Sequence, residues 1–122
     1  MTHLVLLTET DPDSWGRMSD EERAAVFACH DAFDQAVRAR GKVLGGEALD
    51  SSRTAKTLRT VGGQRVVVEG PYAETVEQLG GYYHVDAGDI DDVLELCRLL
   101  PDYYIIEVRP VVNMIEGYDP GE

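Results

Sequence analysis

Residues 66–85, VVVEGPYAETVEQLGGYYHV, leave one strand-like run and enter another, and the sharp passage between them organises the whole chain. Gly70 tolerates backbone angles that other residues avoid, and Pro71 has no amide proton to donate, so Glu69-Gly70-Pro71-Tyr72 predicts a break rather than a continuous strand. Upstream, TLRTVGGQRVVVEG places Gly62-Gly63 between two runs of branched residues. That pattern predicts a two-residue hairpin pairing Val61 with Gln64 and Arg59 with Val66. Downstream, GYYHVDA predicts a strand with Tyr83 and Val85 on one face and Tyr82, His84 and Asp86 on the other.

Working outward, HLVLLTE at 3–9 is a short apolar run bounded by DPDS and predicts a buried strand. Ser19 with Glu22 forms a capping box, and Asp20, Glu21 and Glu22 suit the positive end of a helix dipole. The helix is expected to reach Arg40 and stop at Gly41, with Val26, Cys29, Phe33, Ala36 and Val37 as its apolar stripe. KVLGGEAL predicts a weak strand in which the glycines mark a bulge or a close backbone approach. Asp89 predicts the cap of a second helix, with Ile90, Val93, Leu94, Cys97 and Leu100 inward and Pro101 at its end. YYIIEVRPVV is the last strand, and residues 113–122 form an acidic tail.

The order is strand, helix, strand, hairpin, strand, helix, strand, in one domain spanning residues 1–122. Two helices with one apolar face each cover one side of an antiparallel sheet, and the other side is then expected to be covered by a second copy. A homodimer is the assembly this implies.

The chain carries 11 basic and 23 acidic residues, a formal charge of -12. Such a balance repels nucleic acid and anionic membrane surfaces. With no apolar run near the roughly 20 residues of a membrane span and no signal-like start, a soluble cytoplasmic protein is expected. The charge is uneven, with -6 over 1–37, +5 over 38–65 and -11 over 66–122. The basic island is either a set of solvated strand faces or an attractor for a small anionic ligand or an acidic patch on a partner. Cys29 and Cys97, both within helices, read as reduced thiols.

The sequence EGPYAETVEQLGGYYHVDAGDIDDVLELCRLLP, with Glu107-Val108-Arg109-Pro110-Val111 after it, resembles the signature of the DGPF family within the YCII-related superfamily. Trp15, SDEERAA, Gly45-Gly46-Glu47 and the hairpin extend the resemblance over nearly the whole chain. It implies a ferredoxin-like α+β fold, an antiparallel sheet with two helices on one face, assembled as a dimeric α/β barrel. Glu69 stands where the family's Asp sits, and Tyr72 replaces its Phe. The superfamily includes a lyase-type enzyme that removes chloride from a chlorinated aromatic, and DGPF proteins resemble partners of extracytoplasmic-function sigma factors.

His30 shares the helix stripe and has a side chain suited to moving a proton near neutral pH. Asp34, one turn on, is placed to orient it, and the plain alternative is a core histidine satisfied by a local acceptor. Glu69 at a strand end is either a carboxylate beside the cleft or a turn acid. Arg109 either grips a substrate carboxylate or pairs with Glu107. With His30, Asp34 and Glu69 as the catalytic set, Tyr72, Tyr82 and Arg109 form the expected substrate-binding set. His3, His30 and His84 lie on separate elements without metal-ligand spacing, so no metal is expected, and no cofactor is required. Two functions follow: a lyase or isomerase working on a small anionic or aromatic substrate, or a non-enzymatic dimer that binds a small molecule or a sigma factor.

Overall fold

A computed structural model describes residues 1–73 and 75–112. The elements are β1 His3–Glu9, α1 Ser14–Arg17, α2 Asp20–Arg40, β2 Lys42–Ala48, a 3-10 turn Ser52–Thr54, β3 Lys56–Val61, β4 Gln64–Glu69, β5 Gln78–Asp86, α3 Ile90–Cys97 and β6 Tyr104–Pro110. β2, β5, β1 and β6 form one antiparallel sheet in that order, while β3 and β4 pair only with each other. This mixed α+β arrangement is consistent with a ferredoxin-like fold. The expected acidic tail lies outside the described residues.

Local chemistry accounts for most boundaries. Ser19 Oγ accepts from Glu22 N–H at 3.1 Å and Glu22 Oε1 accepts from Ser19 N–H at 2.9 Å, so the capping box starts α2. Asp89 and Asp92 exchange the same pair of bonds at the start of α3. At the hairpin both Gly62 (φ 59°) and Gly63 (φ 79°) occupy left-handed backbone, and the register pairs Val61 with Gln64 and Arg59 with Val66 as expected.

Gly41 does end α2, but for a different reason from a left-handed cap. Its φ is -177°, ordinary extended backbone, and a Cβ there would lie 1.8 Å from the Asp86 carbonyl oxygen. The glycine lets the chain leave α2 close against the end of β5 and enter β2 at once, where Lys42 pairs with Asp86. α3 is shorter than the spacing predicts, ending at Cys97, with Leu96 rather than Leu94 inward and Ile90 also exposed. The bulge expected among the β2 glycines falls between Val43 and Gly45.

One core joins the inward face of the sheet to both long helices: Val5 and Leu7 of β1, Val85 of β5, Phe33 and Val37 of α2, and Val93, Leu96 and Cys97 of α3. Burial pushes the Cys97 thiol up to about 11, as befits an inert packing group. His3 belongs to the same inward alternation and is 1% exposed, with its Nδ1 lacking a hydrogen-bond partner among the described residues.

Burial lowers the His3 pKa, helped by the N-terminal charge and opposed by Asp89 and Asp86. The unfolded chain therefore takes up this proton first as pH falls through about 6.5, and the folded state loses stability there. A His3→Leu variant removes the effect. Its stability relative to wild type, read from urea midpoints, is expected to rise as pH falls from about 7.5 to about 5.5. A constant difference would mean that His3 titrates alike in both states.

Candidate active site

The inward face of the sheet ends in polar groups where the core stops. β1 alternates His3, Val5, Leu7 and then Glu9; β5 brings Tyr83 beside Val5, and β6 brings Tyr104 beside Glu9. α2 crosses this end with His30, one turn before Phe33. Leu7, Glu9, His30, Tyr83 and Tyr104 line a cleft of about 700 Å³ with Trp15, Phe27, Tyr82, Tyr103 and the β2 glycine Gly46.

His30 is half-buried and held between two phenols. Its Nδ1 lies 2.6 Å from Tyr83 Oη and its Nε2 lies 3.3 Å from Tyr104 Oη. The Tyr104 ring stands edge-on to the imidazole at 78°, and Phe33 packs under Tyr83 with centroids 4.8 Å apart. Burial holds His30 below its ordinary pKa, so the ring is neutral at pH 7 with one nitrogen able to accept a proton. Desolvation raises Tyr83, with the Asp34 charge adding to it, and raises Tyr104, which also feels Tyr103 and Glu9. Both phenols stay protonated.

Two glycines make the arrangement fit. A Cβ on Gly46 would come within 2.8 Å of the Tyr83 ring, and one on Gly80 within 1.9 Å of Glu9 Oε1. One glycine of each pair, Gly46 in β2 and Gly80 in β5, thus clears space for a cleft side chain. Trp15 enters from α1, a short helix in the segment read from sequence only as a boundary. Arg23 fixes it by donating from Nε and Nη2 to the Trp15 carbonyl at 3.1 and 2.8 Å, and Phe27 meets its ring edge-on at 5.4 Å.

The chain belongs to the YCII-related domain family. The family model matches residues 1–115. An uncharacterised protein of Rhizobium meliloti (strain 1021) is 33% identical over 118 residues, covering 93% of this chain and 90% of that protein.

Within this YCII-related domain the residues expected from sequence are dispersed. His30 and Tyr82 line the cleft. Asp34 accepts from Arg38 Nε at 2.8 Å rather than from His30, and reaches the site through its charge on Tyr83. Glu69 sits at the exposed base of the hairpin, 3.7 Å from Lys56 Nζ. Tyr72 is 78% exposed beneath the Arg59 guanidinium, and Arg109 lies on the opposite face of the sheet, 3.7 Å from Glu107. The Glu69-Gly70-Pro71-Tyr72 passage closes the hairpin: Gly70 N–H donates to the Ala55 carbonyl and Thr57 Oγ1 donates to the Gly70 carbonyl, both at 2.8 Å.

Glu9, Tyr83 and Tyr104 carry the cleft chemistry that the sequence reading passed over. The available signal was Glu9 itself, a carboxylate at the end of an inward-facing apolar alternation. Among the described residues no three His, Cys, Asp or Glu side chains converge as a metal site, and no described helix is long and apolar enough to cross a membrane.

Proposed function

We propose that this protein is a DGPF-type member of the family and works in the cytoplasm as a cofactor-independent acid–base catalyst, a lyase or isomerase that moves a proton on a small substrate in the cleft. The observation that carries this is the neutral His30 held by Tyr83 at 2.6 Å with its other ring nitrogen toward the cleft. In the tautomer with the proton on Nδ1, the ring donates to Tyr83 Oη and is fixed by it. The Nε2 lone pair then faces Tyr104 across 3.3 Å, a contact long enough for a substrate group to replace.

Catalysis in this reading begins with Nε2 taking a proton from substrate, forming an imidazolium whose N–H groups face the two phenol oxygens. The same Nε2–H returns the proton to a second position on the substrate or to a leaving group. Tyr83 orients the ring where Asp34 was expected to do so, and the Asp34 charge only adds to the desolvation that raises the Tyr83 phenol.

A panel of small substrates with acidic C–H bonds, incubated in D₂O and followed by proton NMR, tests the reading. Exchange or elimination that disappears in His30→Gln is expected. Turnover that survives the substitution contradicts it.

The homodimer remains part of the proposal, and the hairpin supports it. Val67 is 66% exposed, Leu58, Val61 and Val68 are exposed beside it, and an isolated two-stranded hairpin is marginal in water. The face of the main sheet away from the helices presents Ile105 and Arg109. Covering these surfaces with a second copy would close a dimeric barrel and offer Glu69, Tyr72 and Arg109 to the neighbouring subunit. Analytical ultracentrifugation is expected to give twice the chain mass for wild type at about 100 μM and the single chain mass for Ile105→Lys. A monomeric wild type contradicts the dimer. The second reading, a non-enzymatic dimer that binds a small molecule or a protein partner such as a sigma factor through its acidic surfaces, needs the same assembly.

A further inference from the structure

Among the described residues, the charged side chains that line the cleft are acidic, and the Arg23 guanidinium lies over the Trp15 ring of its wall at 5.2 Å. Glu9, Glu47 and Asp50 line the cleft, and among the described residues no Lys or Arg does. The basic island, which the sequence leaves as either solvated strand faces or an anion attractor, lies elsewhere: Lys56, Arg59 and Arg65 are on the exposed hairpin, and Arg53 is held by Asp13 at 3.0 Å. The rest of the wall is aromatic, with Trp15, Phe27, Tyr82, Tyr83, Tyr103 and Tyr104.

Glu9 occupies a special position within this wall. It is partly buried at the end of the Val5, Leu7 alternation, in space that Gly80 leaves open. Its carboxyl is pushed above the usual range by loss of water, with no donor or cation among the described residues offsetting that loss. A carboxylate so placed is stabilised by an arriving cation and destabilised further by an arriving anion. The phenol faces act in the same direction, since the negative face of an aromatic ring attracts positive charge, while the Trp15 indole already has the Arg23 guanidinium 5.2 Å from its ring centroid. At the scale of the whole molecule, a net charge of -12 concentrates cations near the surface and disfavours anions.

We propose that the cleft takes a small arylalkyl ammonium compound, its ring against the tyrosine wall and its ammonium toward Glu9, and that it discriminates against carboxylates and phosphates of the same size. The proposal narrows the substrate of the acid–base site and rests on that reading for its catalytic meaning, while its binding preference stands on the charge of the cleft.

Three probes of one shape and three charges test it: tyramine, tyrosol and 3-(4-hydroxyphenyl)propionate, titrated into the full-length protein by calorimetry and by amide NMR. Tyramine is expected to bind about tenfold more tightly than tyrosol, and the carboxylate most weakly of the three. In Glu9→Gln the advantage of tyramine over tyrosol should fall to about twofold or less, with tyrosol binding retained. In the unaltered protein, tyramine should lower the pKa of the Glu9 carboxyl, a readout independent of whether the variant folds. Equal or tighter binding of the carboxylate, a tyramine advantage that survives Glu9→Gln, or no perturbation of cleft amides by any probe up to about 10 mM would each overturn the proposal. The two readings fail separately. Proton exchange that depends on His30 without an amine preference leaves the acid–base site standing, and amine binding without His30-dependent exchange leaves only the binding site.

Discussion

Replacing His30 with Gln is expected to lower turnover by about 10²–10⁴-fold, the contribution of one positioned acid–base group. The loss should appear in kcat with KM little changed, because the amide side chain occupies similar space but has no titrating nitrogen. Tyr83→Phe keeps the ring that packs on Phe33 and removes only the oxygen that fixes Nδ1. Its expected cost is smaller, about tenfold, since the imidazole remains present but less well aimed. Asp34→Asn should change kcat by about twofold or less at neutral pH, because its carboxylate already bonds Arg38 and acts on Tyr83 only through charge. The ranking of the three variants carries the information. If Asp34→Asn matched His30→Gln, a histidine–carboxylate pair would be operating after all.

Phe33→Ala is expected to destabilise the fold by about 3–5 kcal/mol, a large share of the 5–15 kcal/mol typical of a domain. Phe33 is 0% exposed and sits where α2 meets β1 and β5 in the single core. Its ring also supports Tyr83, with centroids 4.8 Å apart at 46°, so the cavity would open directly beneath the candidate site. Urea denaturation should show a lower midpoint with an unchanged slope. His30 in the surviving folded fraction should move toward its ordinary pKa as water enters. A loss below about 1 kcal/mol would mean that the site can collapse around the missing ring, and that Phe33 is not the support described.

The elements whose ends are written in local chemistry were legible in the sequence. Ser19 and Glu22 start α2, Gly62-Gly63 sets the hairpin register, and Asp89 caps α3, because each signal lies within a few residues of what it controls. α1 carried no such signal, since its Asp13 cap makes no side-chain hydrogen bond to the helix N-terminus and its Trp15 is held by Arg23 from the next helix. The site was legible only in part for the same physical reason. His30 stood out as a histidine on an apolar stripe, but its partners Tyr83 and Tyr104 are 53 and 74 positions away, brought together by strand order rather than by spacing. Asp34 lies one helical turn from His30, but Arg38, at the same helical step beyond it, holds its carboxylate. Gly41, Gly46 and Gly80 were visible as glycines, while the groups they make room for could be named only after folding.

The most direct measurement is the titration of the His30 imidazole by NMR in the wild-type protein, repeated in Tyr83→Phe and Asp34→Asn. Titration below about 6.5 is expected, with a clear change in Tyr83→Phe and little change in Asp34→Asn, as a partly desolvated ring held by a phenol requires. Titration above about 6.5 that drops in Asp34→Asn and ignores Tyr83→Phe would contradict the account and restore the helix carboxylate as the partner of His30.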